Sequence, residues 1–272
     1  PDYAGDEACE TCHAGSHPDY AATIHGRVLK EGSHLGELAQ RGCEACHGPA
    51  QAHVDAGGGK GGTLLGFGSS DPEQIELENA ACLQCHTRGS RTHWTASEHE
   101  AADLACTSCH DVKRNRSVRF QLRGETELDT CRGCHQLETA KMTRNSHMPV
   151  REGAMSCSSC HQTHGAVAES LVRHDTVNDG CLSCHAEKRG PFLWEHSPVT
   201  ENCLNCHDAH GTVHRAMLKV SQPRLCQSCH VATLHPSLPR ASDDHFVLSR
   251  SCGQCHVNIH GSNHPSGFGF TR

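Results

Sequence analysis

Ten times along the chain the same device recurs: two cysteines separated by two residues, with histidine directly after the second. It uses up every cysteine present. The cysteine pairs are Cys9 and Cys12, Cys43 and Cys46, Cys82 and Cys85, Cys106 and Cys109, Cys131 and Cys134, Cys157 and Cys160, Cys181 and Cys184, Cys203 and Cys206, Cys226 and Cys229, and Cys252 and Cys255. A zinc knuckle uses paired cysteines without regard to the next residue, a thioredoxin-like site occurs once, and a disulfide scaffold has no reason for this spacing. Histidine fills 26 of 272 positions, so finding it after all ten second cysteines is not chance. The pattern is that of c-type haem attachment.

The chemistry accounts for the spacing. Two thiols add across the two vinyl groups of one macrocycle, and the adjacent imidazole reaches the iron from one face. The proximal ligands are then His13, His47, His86, His110, His135, His161, His185, His207, His230 and His256. Aromatic residues make up only 4% of the chain, too few for an ordinary oily core, so ten haems are expected to fill the middle. The fold class that follows is a multihaem cytochrome c, with a few short α-helices and loops wrapped around an extended chain of ten haems and little or no β-sheet. Weak amphipathic periodicity, interrupted by glycine, proline and serine, agrees with short helices.

Sixteen histidines remain, and their spacing alternates. After odd-numbered motifs one follows eleven to thirteen residues past the proximal ligand: His25, His99, His147 and His196. After even-numbered motifs it follows within six: His53, His164, His210 and His260. His161 and His164 stand three apart, too close to clasp one iron from opposite faces, so His164 is expected to serve a neighbouring haem. One short peptide then holds one haem and ligates another. Odd motifs from Cys82 onward start 49, 50 and 45 residues apart, which is the period of a repeat array built of two-haem units.

Motif four departs from the pattern. It reads CTSCHDVKRNR, with Lys113 where a short-spaced histidine is expected. Its missing distal ligand is assigned to His93. Motif nine offers His235 only five residues past His230, and His264 competes with His260 near the C-terminus. The basic run of Lys113, Arg114, Arg116, Arg119 and Arg123 neutralises haem propionates, faces a partner, or is simply solvated.

Residues 52–74 are glycine-rich and read as a linker or exposed loop. A division near residue 142 leaves five motifs in an N-terminal half, 1–142, and five in a C-terminal half, 143–272, of one continuous haem wire. The formal net charge of −7 argues against a nucleic-acid partner. No run of eighteen apolar residues occurs, so the chain is expected to be soluble or sheathed by another protein. The opening PDYAGDEACE shows no export signal, which is expected to have been removed or to lie outside this sequence.

The stretch CLSCHAEKRGPFLWEHSPVTENCLNCHDAHGTVH, the RLCQSCH at 224–230 and the ending RSCGQCHVNIHGSNHPSG resemble the MtrA/PioA/DmsE family of periplasmic decahaem c-type cytochromes, the MtrA branch most of all. The likeness runs from the first motif to the C-terminus and is weakest over 54–78 and 111–128. It implies ten bis-histidine haem c groups and an electron-transfer role without catalysis, in the periplasm and embedded in the outer membrane through a β-barrel porin (MtrB-like). It implies further partners: periplasmic electron-transfer cytochromes and an extracellular multihaem cytochrome (MtrC-like), serving extracellular metal respiration or iron oxidation. By this resemblance the distal positions are His25, His53, His99, His147, His164, His196, His210, His235, and His260 or His264. Two other readings use the same haems: a multihaem reductase or oxidase of a small nitrogen or sulfur compound, and a free periplasmic electron shuttle. Bis-histidine ligation opposes the enzyme, because it leaves no iron position for substrate.

Overall fold

The computed structural model describes residues 2–15, 17–59, 64–230 and 251–271. Each motif folds as about one helical turn. The N–H of the histidine donates to the carbonyl of the first cysteine, at 2.9–3.2 Å in motifs two, three, four and six to ten. A single turn sets residues i, i+3 and i+4 on one face, so both thiols and the imidazole point the same way.

Odd and even motifs differ in how they enter that turn. Odd motifs sit on or at the end of helices: α1 (Asp6–His13), α3 (Pro72–Leu83), α5 (Glu127–Cys131), α6 (Val177–Leu182) and α7 (Arg224–Gln227). Thr126 and Thr176 cap α5 and α6 by accepting from the N–H groups of Asp129 and Asp179, and Pro72 opens α3 where a missing N–H costs nothing. Even motifs form isolated turns: α2 (Glu44–His47), α4 (Cys106–Cys109), and 3₁₀ turns at Cys157–Ser159, Cys203–Asn205 and Cys252–Gln254.

Among the described residues β pairing is limited to isolated antiparallel bridges, of which His110–Leu122, His161–Val172 and His207–Leu218 recur at matching places in motifs four, six and eight. No described helix is long and apolar enough to cross a membrane. Among the described residues, buried apolar side chains are few: Ala39, Ala45, Ala50, Ala105, Ile75, Trp94, Met142 and Leu171. The described residues therefore have the sparse oily core expected from composition.

Two compact units divide the residues, Pro1–Gly133 with Gln162–Ala166, and Cys134–His161 with Val167–Arg272. In the first, buried Glu44 accepts from the N–H groups of Ala4, Gly5 and Ala50, tying the N-terminal strand of chain to motif two. Of the stretch 52–74, read from composition as a linker or an exposed loop, the C-terminal end is anchored. Leu65 donates to the carbonyl of His47, and the buried Glu78 carboxylate accepts from Gly68 and Ser69. Composition could not show this, because the acceptors lie outside the glycine-rich stretch.

Candidate haem-binding sites

The thiols fall into an ordered sequence of contacts. First cysteines of an odd motif and the following even motif share a hydrogen bond: Cys9 with Cys43, Cys82 with Cys106, Cys181 with Cys203, and Cys226 with Cys252. Second cysteines couple electrostatically across to the next odd motif: Cys46 with Cys82 and Cys85, Cys160 with Cys184, and Cys206 with Cys229. Within the first unit this links motifs one to four in chain order, and within the second it links six to ten.

Side chains just upstream of the odd motifs brace these couples. Asp6, Asn79 and Asn178, each three residues before its cysteine, accept the N–H of Cys43, Cys106 and Cys203 at 2.8, 2.7 and 2.7 Å. Gln222, four before Cys226, accepts from Gly253 at 2.8 Å. Sequence reasoning missed this brace, although a polar residue three places ahead of Cys9, Cys82 and Cys181 was there to be seen.

The proximal imidazoles of the even motifs are fixed through Nδ1. It donates to the carbonyls of Leu65, Phe120, Ser170 and Ala216 from His47, His110, His161 and His207, at 2.8–2.9 Å, and to that of Gly269 from His256. This leaves the Nε2 lone pair for a metal. In motifs four, six and eight the carbonyl is aimed by two successive left-handed residues: Phe120 and Gln121 (φ 66° and 49°), Ser170 and Leu171 (57° and 55°), Ala216 and Met217 (55° and 53°). Such residues cost of order 1 kcal/mol each, and the recurrence ties the strain to the ligand it orients.

Five pairs of imidazoles face one another. Ring centroids are 5.9 Å apart for His25 and His86, 6.0 Å for His110 and His164, 6.1 Å for His161 and His210, 6.2 Å for His196 and His230, and 6.2 Å for His207 and His260. Two metal–nitrogen bonds of about 2 Å end to end, plus two ring radii, give about 6 Å, so each pair fits one iron between its rings. Four pairs have nearly parallel ring planes, 10–19° apart, whereas His25 and His86 are crossed at 69°. Burial lowers the pKa of His25, His86, His196, His210 and His260, and takes His164 down to about 4, which favours the neutral form a metal requires.

These pairs follow one rule. A long-spaced histidine reaches forward two motifs, as His25 and His196 do, and a short-spaced one reaches back two, as His164, His210 and His260 do. Across from His110 stands His164, whereas His93 is exposed, with its carbonyl against Gly165. His260 is the one that meets His207, while Nδ1 of His264 is occupied by the N–H of Ser266. His99 donates through Nδ1 to the carbonyl of Thr163, which adjoins His164. His147 bonds the Arg144 carbonyl, and its Nε2 lies 3.2 Å from Glu152. His53 lies on the helical turn Gln51–Asp55, and His235 lies outside the described residues. The basic run is largely engaged locally: Arg114 with Asp19, Arg116 with Asp111, Arg119 over the ring of Phe120, and Arg123 with the Thr107 carbonyl.

Comparison with known proteins agrees with this geometry. A family model described as a doubled CXXCH motif matches residues 147–190 and 196–234, and one described as cytochrome c-type protein NrfB-like matches 43–125. The multiheme cytochrome MtrA of Shewanella baltica is 40% identical over 97% of this chain and 80% of its own length. The C-type polyheme cytochrome OmcB of Geobacter sulfurreducens is 25% identical over 56% of this chain and 25% of its own. With the attachment motifs, the paired imidazoles and that extent of identity together, the chain belongs to the MtrA family of multihaem c-type cytochromes, electron-transfer proteins rather than enzymes, with covalently bound haem c.

Proposed function

We propose that this chain is a decahaem conduit, five haems in residues 1–142 and five in 143–272, carrying electrons across the outer membrane inside a porin-like β-barrel. At its ends it exchanges electrons with periplasmic cytochromes and with a multihaem cytochrome on the cell surface. The observation that supports a conduit best is the run of thiol couplings from each motif to the next, which keeps attachment points one to four, and six to ten, close together in chain order.

Haem supplies reversible one-electron iron chemistry when bound. The cysteines fix each macrocycle at both vinyl edges, and the Asn79 and Asn178 side chains lock one attachment turn to the next. Electron transfer between neighbours falls steeply with the gap between their edges, so bracing the turns sets the rate. Opposed imidazoles keep other molecules off the iron. By the two-motif rule His147 is assigned to the haem of His185. His53, His99, His235 and His264 remain candidates for the other irons.

The test is isolation from native membranes in mild detergent. The conduit expects a β-barrel protein in equal amount and ten haem c groups per chain by pyridine haemochrome, with electron delivery to an acceptor sealed inside liposomes. Recovery of the chain free of any barrel would leave a periplasmic shuttle and refute the conduit.

A further inference from the structure

Lys113 interrupts the alternation of distal histidines, and the fold around it shows what it replaces. It stands three residues after His110, as His164 does after His161 and His210 after His207. The three loops are built alike. Each has a single antiparallel bridge from the proximal histidine, a pair of left-handed residues, and an Nδ1 bond to the carbonyl of the first of that pair. Lys113 therefore leaves the backbone at the position of a reach-back ligand. His164 meets His110 two motifs earlier, His210 meets His161 and His260 meets His207. The same step from motif four leads to motif two.

Motif two carries a separate sign of it. Lys113 is close enough to Cys46 and His47 for its charge to act on both. Lys113 is thus exposed and within electrostatic reach of that attachment turn. Carboxylates close by are taken. Asp111 holds Arg116 at 3.0 Å and accepts the backbone N–H of Lys113, and Asp19 holds Arg114 at 3.4 Å. Among the described residues none makes an ion pair with the Lys113 ammonium. His47 itself is oriented by the Leu65 carbonyl and by Phe67, edge to face at 5.2 Å, and no described histidine ring faces it.

We propose that Lys113 is the second axial ligand of the haem attached at Cys43, Cys46 and His47, giving one histidine–lysine iron in the array. The proposal rests on the ten-haem reading above. On ligation the ammonium releases one proton to solvent and its ε-amino lone pair fills the remaining iron position, with no change of oxidation state. The substitution does not deprive motif four of a ligand, since His164 serves it. It changes the donor at motif two from an aromatic nitrogen to an aliphatic amine, which has no π system to share with the iron.

The experiment uses the whole ten-haem protein, parent and variants Lys113→His and Lys113→Ala. Near-infrared magnetic circular dichroism of the oxidised protein separates histidine–amine from bis-histidine iron by the energy of the charge-transfer band. The parent is expected to show about a tenth of its intensity at the histidine–amine position, a share set by one haem in ten. Lys113→His should move that share into the bis-histidine band, and Lys113→Ala should create one carbon monoxide-binding haem per chain on reduction. Should Lys113→Ala not accumulate, the band transfer in Lys113→His decides. A parent spectrum that is wholly bis-histidine and unchanged in Lys113→His overturns the ligand while leaving ten haems in place. A haemochrome count far below ten in the parent overturns the reading beneath it.

Discussion

Removing the Asn79 amide should loosen one attachment turn and leave its counterpart untouched. Asn79 is only 6% exposed; its Oδ1 accepts the Cys106 N–H at 2.7 Å, and its Nδ2 donates to the Leu104 carbonyl at 3.1 Å. In Asn79→Ala the Cys106 N–H loses its partner in a part-buried site, costing about 1–3 kcal/mol, and the lost Nδ2 bond adds about 1 kcal/mol. A local loss of about 2–4 kcal/mol corresponds to roughly thirty- to several-hundred-fold faster opening, at 1.4 kcal/mol per factor of ten. Amide hydrogen exchange by mass spectrometry on peptides spanning 104–111 reads this directly. Peptides spanning 201–208 are the internal control, because Asn178 holds Cys203 there with the same geometry. Acceleration below about fivefold at 104–111, or equal acceleration at 201–208, would refute the bracing role.

His25 is the one member of the five pairs whose Nδ1 bonds to a side-chain amide, donating to Gln121 Oε1 at 2.8 Å, and its ring is the crossed one. Gln121→Leu should release that ring, so that the highly anisotropic low-spin electron paramagnetic resonance signal expected of crossed imidazoles moves towards the rhombic signal of the parallel pairs. An unaltered spectrum would show that backbone geometry sets the angle. Asp208 supplies a pH dependence. Burial pushes its carboxyl up, but Lys141 at 2.9 Å and the His210 N–H outweigh that, and the folded pKa is lowered. The pair therefore stabilises above the unfolded carboxylate value of about 3.9 and ceases to as pH falls through the lower folded value. Asp208→Asn should lose about 1 kcal/mol at neutral pH, and acid titration of unfolding should bring the two proteins together at low pH.

The attachment chemistry was legible because it is local: five consecutive residues hold one macrocycle, and no tertiary information is needed to recognise them. The alternation of long- and short-spaced histidines was legible too, and so was the point that His164 stands too close in sequence to His161 to share its iron. Which haem it serves was not. His25 meets His86 across 61 residues and His164 meets His110 across 54, and nothing in local spacing distinguishes reaching forward from reaching back. For motif four the sequence offers His93 as a candidate, whereas the ring that stands across from His110 is that of His164. Short helices were foreseen from broken periodicity. The paired left-handed residues at Phe120, Ser170 and Ala216 were not, because none is glycine and only the demand for a carbonyl at Nδ1 accounts for them.

Ligand exchange over a distance of two has a consequence for how such an array can change in length. Inserting a single attachment peptide would reverse the parity of everything downstream, so that forward donors would stand where backward donors are required and each would miss its iron. Adding or deleting a whole couple preserves every match. Molecules of this design should therefore lengthen or shorten two cofactors at a time, with odd totals demanding a bespoke repair.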